Sequence, residues 1–293
     1  MSILWLLACE PCPDDPSLAV PDTETSSPLE EQRSTVSAWD GWVEVATGRY
    51  HTCVLDIGGR IVCSGCETAL TDSNILTEPI DCTALPGSWS NIAAGLGYTC
   101  ASGPNGTLCN TPNQPPSPLF DLAMGTSVAC GFTVGGAPVC WPSTGSGPLQ
   151  QPLDSELSAL SATSNHQCGI RADHTVACWG AQALTPPDGQ YQAIDAKADF
   201  HCALNESGVD CWGRNALPSI EGTWESLTVG YEHACVYNDT EVRCWGATEF
   251  GPTDPIEEGI VMMDAGLRHT CAVRKDGHVE CWGDPTSGAI YPP

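Results

Sequence analysis

Near its C-terminal end the chain reads Met263-Asp-Ala-Gly-Leu-Arg-His-Thr-Cys271-Ala-Val-Arg-Lys-Asp-Gly-His-Val-Glu-Cys281-Trp282-Gly283. Two runs with apolar residues at alternate positions flank Lys275-Asp276-Gly277, a loop of hairpin length. Folding the segment about that loop sets Val273 opposite Val279 and Cys271 opposite Cys281. Directly opposed residues of a non-hydrogen-bonded antiparallel pair have Cα atoms about 4.5 Å apart, which is disulfide range. The block recurs upstream. Leu227-Thr-Val-Gly-Tyr-Glu-His-Ala-Cys235 and Val45-Ala-Thr-Gly-Arg-Tyr-His-Thr-Cys53 repeat its first half. In the former, Cys235 faces Cys244 across Asp239-Thr240, with Tyr237 opposite Val242.

Working outward gives seven such units. The expected bridges are Cys53–Cys63, Cys100–Cys109, Cys130–Cys140, Cys168–Cys178, Cys202–Cys211, Cys235–Cys244 and Cys271–Cys281. Leading cysteines are spaced by 47, 30, 38, 34, 33 and 36 residues. A unit of this length, rich in β-type residues and turn signals and without a 3.6-residue period, predicts a propeller blade. It holds three strands, and a fourth only if short; seven blades lie within the usual range. The expected fold is therefore all-β, a seven-bladed β-propeller with three to four short strands per blade. Its last blade is expected to be closed by both chain ends. Units are joined by a Pro, Gly and aromatic phrase such as Pro186-Pro-Asp-Gly-Gln-Tyr191; the chain stops inside one such phrase at Gly288-Ala-Ile-Tyr-Pro-Pro293, and Asp40-Gly41-Trp42 supplies its missing half. The longest spacing reflects a loop insertion at 64–88, in which Cys66 and Cys82 are expected to bridge each other.

Strand periodicity sorts the side chains by face. Each leading Cys shares a face with Leu55, Ile61, Ile170, Val176, Leu204, Val209 and their equivalents, which should fill the space between blades. Trp141, Trp179, Trp212, Trp245 and Trp282 point to the other face and read as core; Ser64 and Asn110 replace them in the first two units. His51, His166, His233 and His269 stand two residues before a leading Cys, with His201 displaced by one. His-x-Cys on a strand points both groups one way, an arrangement that could suit zinc. Units two and three lack the histidine, and the column is read as hydrogen-bonded core; no metal or cofactor is expected. Cys63-Ser-Gly-Cys66 has the spacing of a redox pair or zinc knuckle, without a convincing second half. Gly145-Ser146-Gly147 lies in a loop and lacks the strand-turn-helix setting of a nucleophile. Asn205-Glu-Ser207 and Asn238-Asp-Thr240 have the glycosylation pattern, which would carry little meaning if the lipobox-like Leu6-Leu-Ala-Cys9 marks a bacterial chain.

The 293 residues carry a formal net charge of −26, with lysine only at Lys197 and Lys275. This excludes nucleic acid as an expected partner and favours a protein, possibly one with a basic surface. Eighteen cysteines at disulfide spacing place the chain in an oxidising compartment. Residues 1–9 end in Leu6-Leu-Ala-Cys9, a signal-like segment with a lipobox in which Cys9 would be lipidated; a Cys9–Cys12 disulfide is the alternative. The apolar run is short, and a true start upstream of Met1 is a further alternative. Residues 10–38, with seven acids against Arg33, read as a disordered acidic Pro/Ser/Thr-rich tether. Residues 39–293 form the propeller. The protein is expected to be an outer-membrane lipoprotein or secreted, and monomeric.

The combination Ala-Gly-x-x-His-x-Cys followed by Gly-x-Val-x-Cys-Trp-Gly resembles the regulator of chromosome condensation repeat family, in a short cysteine-bearing bacterial form. The resemblance covers 39–293, is sharpest in units four, six and seven, and implies a seven-bladed propeller. The eukaryotic founder of the family exchanges guanine nucleotide on a small GTPase and binds chromatin; a secreted bacterial relative inhibits β-lactamases through one face. None of the loop residues behind those activities can be matched here. The expected function is a non-catalytic extracytoplasmic protein-binding scaffold. The alternatives are a glycan-binding adhesion or envelope module and, third, a channel-site lyase or hydrolase.

Overall fold

The computed structural model describes residues 41–65, 85–116, 118–143, 149–152, 154, 156–180, 184–247 and 259–284. The segment at 1–9 with Cys9, the tether at 10–38, most of the insertion with the Cys66–Cys82 pairing, the closing phrase at 288–293 and Gly145–Gly147 lie outside them. Every regular element among the described residues is a β-strand. The first sheet is β1 (Trp42–Thr47), β2 (Thr52–Asp56) and β3 (Ile61–Ser64), and the second is β4 (Asn91–Ala94), β5 (Thr99–Gly103) and β6 (Gly106–Cys109). The third is β7 (Leu119–Met124), β8 (Val128–Thr133) and β9 (Pro138–Pro142); the fourth is β10 (Leu157–Ala162), β11 (His166–Arg171) and β12 (Val176–Gly180). The fifth contains β13 (Ala193–Lys197), β14 (Phe200–Asn205), β15 (Gly208–Gly213) and a two-residue fourth strand, β16 (Ile220–Glu221). The sixth is β17 (Ser226–Val229), β18 (His233–Tyr237) and β19 (Val242–Gly246); the seventh is β20 (Ile260–Ala265), β21 (His269–Arg274) and β22 (Val279–Gly283).

Each sheet is an antiparallel meander of consecutive strands, and within each the two cysteines of a unit sit directly opposite one another. All seven such pairs are disulfides, with Cα–Cα distances of 4.0–4.1 Å. Val273 faces Val279 and Tyr237 faces Val242, as the hairpin register requires.

The core is divided among seven seams, each between successive sheets. In the seam between the fourth and fifth sheets, Cys168, Ile170 and Val176 meet Tyr191, Ile194, Ala203 and Trp212. Between the fifth and sixth, Cys202, Leu204 and Val209 meet Leu227, Val229 and Trp245. The disulfide face of one sheet thus packs against the tryptophan face of the next, as strand alternation dictates. Trp141, Trp179, Trp212, Trp245 and Trp282 are all buried.

The last seam joins the two ends of the described chain. Trp42, Val45 and Val54 pack with Cys271, Val273, Val279 and Cys281. Gly277, at a φ of 82°, lies so close to Gly41 that a side chain there would meet the Gly41 backbone nitrogen at 2.8 Å. Gly41 and Trp42 cover the turn of the seventh sheet as Trp89, whose amide bonds the Gly59 carbonyl, covers that of the first.

Candidate functional site in the axial channel

The first strands of all seven sheets line one cavity of about 430 Å³. The position opposite the leading cysteine faces it in every sheet: Ala46, Ala93, Ala123, Ser161, Asp195, Thr228 and Asp264. Where that residue has an acceptor, it can stitch its sheet to the next. Asp195 accepts the Val229 amide at 2.7 Å, Thr228 the Ala265 amide at 2.9 Å, and Asp264 the Thr47 amide at 2.6 Å. Glu44 makes the corresponding stitch from β1 to β4, accepting from Ile92 N at 3.0 Å and Asn91 Nδ2 at 2.5 Å. A carboxylate accepting a backbone N–H is stronger than a neutral pair.

Lys197 stops the channel at one end. It is 8% exposed, and its Nζ reaches from the fifth sheet to the carbonyls of Thr47 at 2.7 Å and Ala265 at 3.0 Å, in the first and seventh. Its ammonium also lies 3.8 Å from Asp264 Oδ2. The acceptors stand at the ends of β1 and β20, so the cavity opens at the end where the first strands begin. Asp121 lies towards that mouth, in an irregularity of β7 with a φ of 49°, a left-handed conformation that Asp tolerates better than most residues.

Burial raises Glu44 to about 7 against the opposing pull of the Ile92 amide, with Asp264 and Asp121 adding to the rise. Burial likewise brings Asp195 to about 7; Lys197 opposes and Asp264 reinforces. Buried carboxyls near one another resist ionisation.

The histidines form a second ring of joints. His51 Nε2 lies 2.9 Å from Thr99 Oγ1, His233 Nε2 2.7 Å from Thr270 Oγ1, and His269 Nε2 3.0 Å from Thr52 Oγ1. Each imidazole therefore meets the threonine that precedes the leading cysteine of the next sheet. In the second sheet Tyr98 takes the histidine position, and its hydroxyl donates to the Gly125 carbonyl at 2.8 Å. The glycine three residues earlier leaves room for the ring. A Cβ at Gly266 would stand 2.4 Å from His269 Cε1, and one at Gly48 2.0 Å from His51 Cε1. In the fifth sheet that glycine is Lys197 and the histidine is shifted, so His201 bonds Ser161 and His166, at 2.8 Å each. Burial, with Lys197 next, lowers His51 and His233 to about 4 and His269 to about 3. They are neutral hydrogen-bonding groups. Among the described residues no three His, Cys, Asp or Glu side chains are gathered to hold a metal.

Cys63 is bonded to Cys53 and so is not half of a redox pair with Cys66. Asn205 and Asn238 hold hairpin turns. Asn205 Oδ1 accepts from Ser207 N and Gly208 N, and Asn238 Oδ1 from Thr240 N and Glu241 N, which accounts for their Asn-x-Ser/Thr pattern by turn chemistry. Sequence reasoning missed Glu44, Asp195, Asp264 and Lys197. The signal for Asp195 and Asp264 was a column seven residues before each leading cysteine, and for Lys197 the loss of glycine five residues before Cys202; Glu44, nine residues before Cys53, lies outside that column.

The regulator of chromosome condensation (RCC1) repeat matches residues 42–69 and 260–289, the first and last sheets. The fold is that of solved seven-bladed propellers. The CRINKLY WD40 ectodomain of the Arabidopsis thaliana receptor kinase ACR4 is 23% identical over 84% of this chain and 96% of that one, with a TM-score of 0.61. The entire ectodomain of the Physcomitrella patens receptor kinase CR4 is 21% identical over 84% and 74%, with a TM-score of 0.62. Prp20p from Saccharomyces cerevisiae is 14% identical over 84% of each chain, with a TM-score of 0.57. No curated protein sequence gives a significant match.

Proposed function

We propose that this propeller of RCC1-type repeats is a non-catalytic, extracytoplasmic scaffold that binds a protein through one of its faces. The supporting observation is where the recurring chemistry goes. Cysteine, histidine and tryptophan, the residues repeated from unit to unit, are engaged in bridges, inter-sheet joints and apolar seams. What differs between units, the channel-facing column among it, is left for recognition, and a rigid ring can present it without changing shape. Local bridges at each sheet suit an oxidising compartment, and the lipobox-like Leu6-Leu-Ala-Cys9 supports tethering to a bacterial envelope. Two structures of similar fold concern protein binding by Prp20p, to Gsp1p and histones in one and to Kap60 in the other; that supports the class of partner and not its identity. The recurring tryptophans are buried, which takes away the repeated aromatic platform that glycan recognition would use.

The test is recovery of a protein from native envelope extract by the immobilised full chain. Saturable, competable binding of a defined protein is expected. Retention that never saturates, or binding of glycans in place of protein, would refute the reading.

A further inference from the structure

The geometry points to the open end of the axial channel as the seat of a lysine or arginine side chain projected by a polypeptide partner, whose neighbouring apolar residues pack on Val43, Phe120 and Val261. This rests on the protein-binding reading above and assigns the face and the chemistry of the contact.

Charge fixes the sign of the ligand. Glu44, Asp121, Asp195 and Asp264 line the cavity against one cation, Lys197, which sits at the closed end with its Nζ held by two carbonyls. Three of these carboxylates already receive backbone amides, so their oxygens are oriented and held without a reorganisation cost when a cation arrives. The fourth, Asp121, stands exposed at the mouth. Burial and mutual repulsion hold Glu44 and Asp195 near 7, the strain that an incoming positive charge would relieve.

Shape fixes the kind of cation. The acids are spread over separate first strands and do not gather as a metal-binding group, so a compact divalent ion would leave most of them untouched. A long stem carrying a charge at its tip can follow the channel wall, which Ala46, Ala94, Ala123 and Ala162 also line.

The rim separates a polypeptide from a free polyamine. Val43, Phe120 and Val261 each occupy the second position of a first strand, at the end where the cavity opens, and are 43%, 39% and 52% exposed. Val43 and Val261 share a groove over the turn Arg274–Gly277. Apolar surface around a charged pocket is the usual anatomy of a protein contact with a buried anchor; a polyamine would gain nothing from it.

The experiment is fluorescence anisotropy of the full chain with two labelled peptides, acetyl-Gly-Val-Arg-Val-Gly-amide and the same peptide with citrulline, the uncharged isostere, for arginine. The arginine peptide is expected to bind at least tenfold more tightly than the citrulline peptide. Its affinity should fall several-fold from pH 8 to pH 5.5, as Glu44 and Asp195 take up protons. D121N, which keeps a residue at ease with the left-handed backbone, and V261N, on the surface, should each weaken it several-fold with the denaturation midpoint unchanged. Equal binding of the two peptides, no saturable binding of either, or indifference to both substitutions overturns the proposal. So does spermidine binding as tightly as the arginine peptide with V261N without effect. A partner recovered from envelope that binds wild type, D121N and V261N alike removes this seat and leaves the protein-binding reading standing. Arginine-selective peptide binding with no protein recovered would do the reverse.

Discussion

Thr270→Val replaces a hydroxyl in a seam by a methyl group. The two side chains are nearly isosteric, and position 270 is fully buried. Lost with the hydroxyl is the 2.7 Å bond to His233 Nε2, which joins the sixth sheet to the seventh. Water cannot replace it, because His233 is itself fully buried. A neutral hydrogen bond contributes about 1 kcal/mol net, but stranding its buried partner costs about 1–3 kcal/mol. The imidazole cannot escape by protonation, since burial holds it at about 4. The expected loss is therefore about 2 kcal/mol. Thr52→Val and Thr99→Val, at the equivalent joints with His269 and His51, should cost the same within about 1 kcal/mol. Urea unfolding followed by tryptophan fluorescence reads this directly. At a urea dependence of ~3 kcal/mol/M, 2 kcal/mol lowers the midpoint by about 0.7 M with unchanged slope. Three losses all below about 0.5 kcal/mol would show that the histidine ring is packing alone, and the account of the Gly-x-x-His-x-Cys motif would fail.

Gly266→Ala should be at least as damaging, at about 2–4 kcal/mol, because the new methyl must displace His269 from Thr52 or push back the Gly48 carbonyl; Gly136→Ala, with open space around it but a φ of 80°, should cost only about 1–2 kcal/mol by the same assay. Stability should rise as pH increases from about 4 to about 6.5, because His51, His233 and His269 stay neutral in the fold while the unfolded chain still binds their protons. Glu44 and Asp195 act with the opposite sign: they keep protons in the fold that the unfolded chain has released, so their contribution is full below about 4 and lost as pH passes about 7. Denaturation midpoints from pH 4 to 9 should accordingly pass through a maximum near 6–7, and Glu44→Gln should raise the midpoint at pH 8 while leaving it unchanged at pH 5; a wild-type midpoint still climbing at pH 9 would contradict this. Non-reducing peptide mapping should return the seven bridges within the sheets, and any bridge between sheets would contradict the register.

The fold was legible because its determinants are local. A cysteine pair nine or ten residues apart, centred on a turn, reports strand pairing without reference to the rest of the chain. The alternation that puts Leu204 and Trp212 on opposite faces is equally local, and each was found in the seam expected for it. The channel was not legible in the same way. Asp195 and Asp264 look like any acids on an acidic chain until the first strands are arranged about an axis. Only then does a side chain from one sheet meet the amide of the next, 34 or 217 residues away. Lys197 is the sharper case. It stands where five of the seven repeats have glycine, and its partners Thr47 and Ala265 come from opposite ends of the described chain.

None of the seven sulfur bridges spans two sheets. Fourteen thiols could combine in on the order of 10⁵ ways, yet every correct mate is the next cysteine along the chain among those fourteen. A hairpin can therefore be oxidised as soon as it forms, without waiting for distant sequence or for an isomerase to undo wrong links. Among the described residues no bridge clasps one sheet to another. The joint between the first and seventh sheets is held, among the described residues, by packing of Trp42 and Val45 on Val273 and Val279, by His269 on Thr52, by Asp264 on Thr47 and by Lys197 on the Thr47 and Ala265 carbonyls, and that is where opening under load should begin.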